Sequence, residues 1–301
     1  MPPIYHIPAL LQPTIDGLDI KPEGNYVDAT FGGGGHSREI IKHLNTKGHL
    51  YAFDQDQDAI VNALNDKRFT FIHANFRYIK NFMMYYGVEE LDGIIADLGV
   101  SFHHFDTEQR GFSFRFDGPL DMRMNQNATI KASDIVNNYT EEQLTNIFRL
   151  YGEMNNARQI AKRIVSTRQN QPITTIEQLN NTIAPLCSKD KEKKDYARIY
   201  QALRIETNDE LGALRQLLDA SLQLLRQGGR IAVLTYHSLE DRLVKNFFRS
   251  GNFEGKIEKD FYGNPMTPFE VINKKVIVAD EQEIDSNPRA RSAKLRIAQK
   301  K

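Results

Sequence analysis

Four consecutive glycines at positions 32–35 stand between the apolar run "NYVDATF" (25–31) and a helical pattern that begins at Ser37. Glycine between a strand and a helix permits positive φ and lets a ligand approach the main chain, while the helix start offers N–H groups that have no acceptor within the helix. The dinucleotide fingerprint G-x-G-x-x-G fails, because Ser37 stands where the third glycine belongs, and the Lys-Ser/Thr pair of a P-loop is missing. A pyrophosphate ligand is therefore not favoured. Asp54 ends the next apolar run, about 20 residues beyond the loop, where it can accept hydrogen bonds from ribose hydroxyls. Loop and acid together describe a nucleoside pocket; the alternative is a plain tight turn beside a surface carboxylate. Asp97 closes "GIIAD", and a carboxylate at the end of a buried strand is costly without partners. The polar groups of a cofactor, or an incoming amine, would supply them.

These residues need a frame. With 301 residues, 40% of them hydrophobic, the chain can bury a large core. The runs at 25–31, 48–56, 69–76 and 91–100 read as short buried strands, separated by helical spans at 37–45, 58–64 and 78–86. That rhythm predicts a parallel sheet with helices on both faces. From about residue 125 to 205 only amphipathic helical stretches occur, such as 141–151 and 155–167. The alternation resumes with a long helix at 208–225, a Gly228-Gly229 stop, the strand "RIAVLTYHS" (230–238), a helix at 240–248, and two strand candidates, "VINKKVIVA" and "AKLRIA". The expected architecture is an α/β domain assembled from 1–105 and 206–301, interrupted by an all-helical insertion at 106–205. The charge run "KDKEKKD" (189–195) is expected to be a solvated loop.

No signal peptide and no apolar run long enough for a membrane helix is visible, so a soluble cytoplasmic protein with no membrane partner is the default. Cys187 is the single cysteine, which leaves it no internal disulfide partner. Basic and acidic residues balance at 39 each, so contact with nucleic acid needs a local patch. Two present themselves: Arg158, Lys162 and Arg163 in the insertion, and Arg289, Arg291, Lys294 and Arg296 near the end, where no acid follows Asp285. In "HSLED" the neighbouring His237 and Ser238 tempt one towards hydrolysis, yet Ser238 with Asp241 has the pattern of a helix N-cap. His237 is then free to line an acceptor pocket.

Several blocks are more specific than the glycine loop. "DATFGGGGHS", "DQDQDAI", "DGIIADLGVS", "RGFSFRFDGPLDMRM", "QALRIETNDEL", "YHSLEDRLVK" and "NPRARSAKLRIA" resemble, in order and across nearly the whole chain, the signature blocks of the bacterial 16S ribosomal RNA cytosine-N4 methyltransferase family. The resemblance implies a Rossmann-like class I methyltransferase sheet with an inserted helical domain, S-adenosylmethionine as cofactor, and methylation of N4 of a P-site cytidine in 16S rRNA within the small ribosomal subunit. It also implies cofactor contacts at Gly34, Gly35, His36, Asp54, Phe76, Asp97 and the position of His104. The family usually reads Ser-Pro-Gln where this chain has Phe102-His103-His104, and it commonly has an acid near Gln12-Pro13.

Chemistry adds further expectations. A sulfonium carries an activated methyl group, so the protein must align the acceptor and exclude water, with no metal required. Cytosine N4 is a poor nucleophile, and a carboxylate accepting one of its hydrogens would help. Asp121 is the candidate for that contact and Asp117 the second; the alternative for Asp121 is a turn cap or an ion pair with Arg123. Phe112, Phe114 and Phe116 suit a loop that receives an extruded base, or else pack on a core. An NAD-dependent dehydrogenase and a non-catalytic ribosome-binding factor are the competing readings, and a homo-oligomer is left open.

Overall fold

The computed structural model describes residues 8–100, 105, 107–188 and 190–301, without the Arg289 side chain. The chain divides into two compact units, Met1–Gly99 with Leu211–Lys301 and Val100–Glu210.

In the first unit a short helix α1 (Leu11–Leu18) precedes β1 (Asn25–Asp28), α2 (Gly35–His43), β2 (His49–Asp54), β3 (Phe69–His73), α3 (Ile79–Tyr85) and β4 (Leu91–Asp97). Val27, Leu50, Phe53, Ile94 and Ile95 are fully buried, as strands covered on both faces require. Between β2 and β3 the expected helix is only a 3₁₀ segment, Gln57–Asn62, capped by the Asp56 carboxylate. Its physical reason is the lack of an apolar stripe: Ala59 is buried while Ile60 and Val61 face solvent.

The second unit holds α4 (Ala132–Asn138), α5 (Glu141–Leu150), α6 (Ala157–Arg168), α7 (Ile176–Ile183) and α8 (Glu192–Asn208). Leu144, Phe148, Ile160, Ile164, Leu179 and Leu203 form its core. Thr140 and Thr175 close capping boxes with Gln143 and Gln178. The charge run is not all loop, since its second half is the first turn of α8. Glu192 and Asp195 there oppose the positive end of the helix dipole, and Ile199, Tyr200 and Leu203 supply the buried stripe that follows.

The long helix expected at 208–225 begins after a break: Asp209, at φ 46°, ends α8, and α9 (Glu210–Leu224) starts anew. β5 (Leu225–Thr235), α10 (Ser238–Ser250), the small β6–β7 hairpin (Glu258–Lys259, Pro265–Met266), β8 (Phe269–Val271), β9 (Ile277–Val278), α11 (Glu281–Ser286) and β10 (Lys294–Lys300) complete the chain. "VINKKVIVA" is not one strand. Asn273 interrupts it and fills the gap, its amide accepting from Ile297 N–H at 2.7 Å and donating to the Leu295 carbonyl at 2.9 Å.

The main sheet runs β3-β2-β1-β4-β5-β10-β8, with β9 also on β10. β3 to β5 are parallel, and β10 is antiparallel to β5. From β1 the chain moves outward through β2 and β3, then returns to place β4 on the other side of β1. The connections leaving β1 and β4 therefore diverge, and a crevice opens beyond their C-terminal ends. Among the described residues no helix is long and apolar enough to cross a membrane.

Candidate active site

Three carboxylates stand at that edge, one at the end of each of β1, β2 and β4: Asp28, Asp54 and Asp97. The glycine turn runs between the first two. Phe31 N–H donates to the Phe53 carbonyl at 2.8 Å, which ties the turn to β2. Gly32 has φ +51° and Gly34 φ +73°, values that L side chains adopt at a cost. A Cβ on Gly34 would lie 2.8 Å from the Phe31 ring, whereas one on Gly32 would meet nothing within 4 Å. Packing thus demands the second glycine, and the first leaves bare main chain facing open space. α2 starts at Gly35 with no side-chain cap.

Asp54 accepts from Gly32 N–H at 2.7 Å and Asp56 N–H at 2.8 Å. Burial pushes its carboxyl up to about 6, against these two hydrogen bonds. Asp28, fully buried, accepts from Thr30 N–H at 3.0 Å and the Ser37 hydroxyl at 2.7 Å, so it pins the start of α2 to β1; burial raises it to about 6 as well. Asp97 is held from two sides. Its N–H donates to Thr30 Oγ1 at 2.6 Å and its Oδ1 accepts from the Tyr236 hydroxyl at 2.7 Å, while Oδ2 lies 3.8 Å from His36 Nδ1. Burial, with the negative charges of Asp28 and Glu240, pushes Asp97 to about 7 despite the Tyr236 hydrogen bond. Among the described residues no lysine or arginine offsets any of the three. Such a site favours a ligand that carries positive charge and hydroxyl or amine donors.

Phe76 opens a 3₁₀ turn after β3 and is partly buried against the core. Beside it the Asn75 amide donates to Gln55 Oε1 at 2.8 Å, joining the ends of β2 and β3. Gly34, Gly35, His36, Asp54, Phe76 and Asp97 all belong to this sheet edge and the turns leaving it. His104 lies outside the described residues.

The other expected residues sit differently. Asp121, in the helical unit, takes Arg123 Nε at 2.7 Å and Nη2 at 2.7 Å, with Lys131 at 3.9 Å; this is the ion pair considered as its alternative. Asp117 accepts from Glu177 N–H at 3.0 Å and so serves the first turn of α7. Phe112 is core, and Phe114 packs edge-on against Tyr196 and Tyr200; only Phe116 of the three rings is exposed. The N-cap of α10 is His237, whose ring accepts from Glu240 N–H, and Ser238 is the first helical residue. The basic tail is partly neutralised, since Asp241 binds Arg296 at 2.7 and 3.2 Å and lies 3.9 Å from Lys294. Arg291 is exposed. On α6, Arg158, Lys162 and Arg163 are exposed, and the first two, with Glu141, Asn155, Asn156 and Gln159, line a cavity of about 480 Å³ within the helical unit.

Sequence reasoning missed Asp28, Thr30 and Tyr236. Asp28 carried the same signal as Asp97, an acid closing a buried strand. Tyr236 carried none, because its partner lies 139 positions away.

A parallel sheet with a glycine turn after its first strand, an acid after its second and a third at the point of reversal is the layout of a Rossmann-like, class I methyltransferase that uses S-adenosylmethionine. The chain belongs to the MraW methylase family, whose sequence model matches residues 3–301. It is 59% identical over 297 residues to ribosomal RNA small subunit methyltransferase H of Parabacteroides distasonis, covering 98% of this chain and 97% of that protein. Proteins of the same name from Phocaeicola vulgatus (57% over 298 residues, covering 99% and 98%) and Christiangramia forsetii (53% over 296 residues, covering 98% and 98%) are similar across the same span. Family membership decides against the dehydrogenase.

Proposed function

We propose that the chain transfers a methyl group from S-adenosylmethionine to the exocyclic N4 of a P-site cytidine in 16S rRNA of the small ribosomal subunit, in the cytoplasm. The observation that carries this reading is the trio of carboxylates around a bare glycine turn, which among the described residues no lysine or arginine offsets, in a chain whose relatives are named for methylating small-subunit rRNA. The cofactor is cationic at its sulfonium and ammonium and has a ribose diol, which suits that set. When bound, it supplies a methyl group already activated for transfer.

The chain's own part is to bind, orient and exclude water. Asp54 serves the ribose, Phe76 the base, the main chain at Gly34, Gly35 and His36 the region beside the helix start, and Asp97 the cationic end. Asp97 Oδ2 is also the atom offered to one N4 hydrogen, which favours the charge that develops on the amine. For Asp121 the geometry supports the ion pair with Arg123 over this duty. Residues 1–105 and 206–301 are assigned to catalysis and 106–205 to RNA contact through Arg158, Lys162 and Arg163.

Incubation with methyl-labelled S-adenosylmethionine and small subunits lacking the modification, followed by nucleoside analysis, tests the assignment. Label on cytidine N4 is the expected result; label only on ring carbons or in protein overturns it.

A further inference from the structure

Asp97 has two oxygens in different situations, and the difference comes from one residue. Tyr236 follows directly on β5, which pairs with β4 so that Asp97 stands beside Leu234. Leu98 N–H donates to the Leu234 carbonyl at 3.0 Å, locking the two strand ends together. The Tyr236 main chain is fixed by its N–H donating to Glu240 Oε2 at 2.9 Å, and its ring lies where a Cβ on Gly99 would come within 3.3 Å. Gly99, at φ +116°, clears that space. The hydroxyl is left a single heading, 2.7 Å from Asp97 Oδ1.

We infer that Tyr236 is a positioning residue of the methyl-transfer site: its hydroxyl occupies Oδ1 of Asp97 and leaves Oδ2 as the acceptor turned to a cofactor cation or an amine N–H. This rests on the assignment of Asp97 to the cofactor's cationic end. A phenylalanine would pack equally well beside Gly99, so packing alone does not call for the hydroxyl. Burial and the neighbouring Asp97 push the Tyr236 phenol well above its ordinary range, so it stays a donor at every working pH. The groups that face this pair are Asp28 at the end of β1, His36 on α2, Glu240 and His237 at the start of α10, and Glu283 on α11. Most of these are acids. The phenol is the hydrogen-bond donor that opposes them at Asp97.

The test is Tyr236→Phe, read first without cofactor. A carbon-13 titration of the Asp97 side-chain carboxyl, assigned with Asp97→Asn, should show its midpoint moving up by about one pH unit when the donor is removed. The calorimetric Kd for S-adenosylmethionine, as the ratio of variant to wild type, should rise about fivefold at pH 7 and return towards unity at pH 9, because only the fraction ionised has changed. Incorporating 3-fluorotyrosine at position 236, a stronger donor, should move the midpoint the opposite way, and this reading survives if Tyr236→Phe folds poorly. An unmoved midpoint, or a Kd ratio equal at both pH values, overturns the positioning role. If Tyr236→Phe shows these shifts but the wild type labels no cytidine N4, the proposed substrate falls and the positioning role stands.

Discussion

Replacing Asp97 by asparagine is expected to stabilise the cofactor-free protein at pH 8 while weakening cofactor binding. Burial raises this carboxyl from 3.8 to about 7, a shift of about 3 units or about 4 kcal/mol at 1.36 kcal/mol per unit. The side chain is 21% exposed, so solvent screens part of the penalty, and about 2 kcal/mol is the working figure. An asparagine Oδ1 still accepts from Tyr236, so the hydrogen bond is kept. A carboxyl raised in the folded state binds its proton more tightly there than in the unfolded chain, and ionising it costs stability. The penalty is therefore absent below about pH 4, grows as pH rises, and is complete above about pH 7. Urea unfolding of wild type and Asp97→Asn at pH 8 should differ by about 2 kcal/mol in favour of the variant, or about 3 °C in Tm. The gap should shrink towards zero as pH falls to 4, and saturating S-adenosylmethionine should reverse it at pH 8, because ligand that binds the wild type more tightly stabilises it more. A wild type at least as stable as the variant at pH 8 without cofactor, or a gap independent of pH, would refute the reasoning.

Asp54→Ala removes the proposed ribose acceptor and strands the Gly32 and Asp56 N–H groups it now satisfies; calorimetry should show cofactor affinity at least about tenfold weaker, and unchanged affinity counts against the ribose role. Asp121→Asn breaks the two-point ion pair with Arg123 and should cost about 1–2 kcal/mol in thermal or urea unfolding with cofactor affinity intact. Lost methylation at unchanged stability would instead return Asp121 to the target amine. Arg158→Glu with Lys162→Glu should weaken small-subunit binding and lower the slope of log affinity against log salt by about one to two; an unaltered slope in filter binding leaves these cations to solvation alone.

The parts of this site that were legible in the sequence are those fixed by local rules. An acid closing an apolar run is anomalous wherever it occurs, and a run of glycines between strand and helix announces a backbone requirement, so the loop, Asp54 and Asp97 stood out. What stayed hidden depends on partners far along the chain. "FSFRF" alternates as a base-receiving loop would, and nothing nearby reveals that Phe114 meets rings on α8, about eighty positions on. The tail looked unbalanced because Asp241, which binds Arg296, lies 55 positions upstream. In the charge run, charge alone suggests a solvated loop, whereas Glu192 and Asp195 stand in the first turn of α8, where acids suit the helix dipole.

The three acids also divide the labour in a way that no single one explains. Asp28 fixes the start of α2 through Ser37, and Asp54 fixes the glycine turn through Gly32, so both form the cradle before any ligand arrives. Asp97 alone has an oxygen not taken by a hydrogen bond at ordinary distance, and it is the acid pushed highest, in part by the charge on Asp28. Building the cradle from carboxylates therefore raises the cost of ionising Asp97, the acid proposed for the cofactor's cationic end. A neutral nucleoside would leave that cost standing, whereas a cationic cofactor relieves it. A preference for the sulfonium cofactor over its demethylated product, which keeps the ammonium but lacks the sulfonium charge, is the expected consequence of the same charges that hold the loop in place.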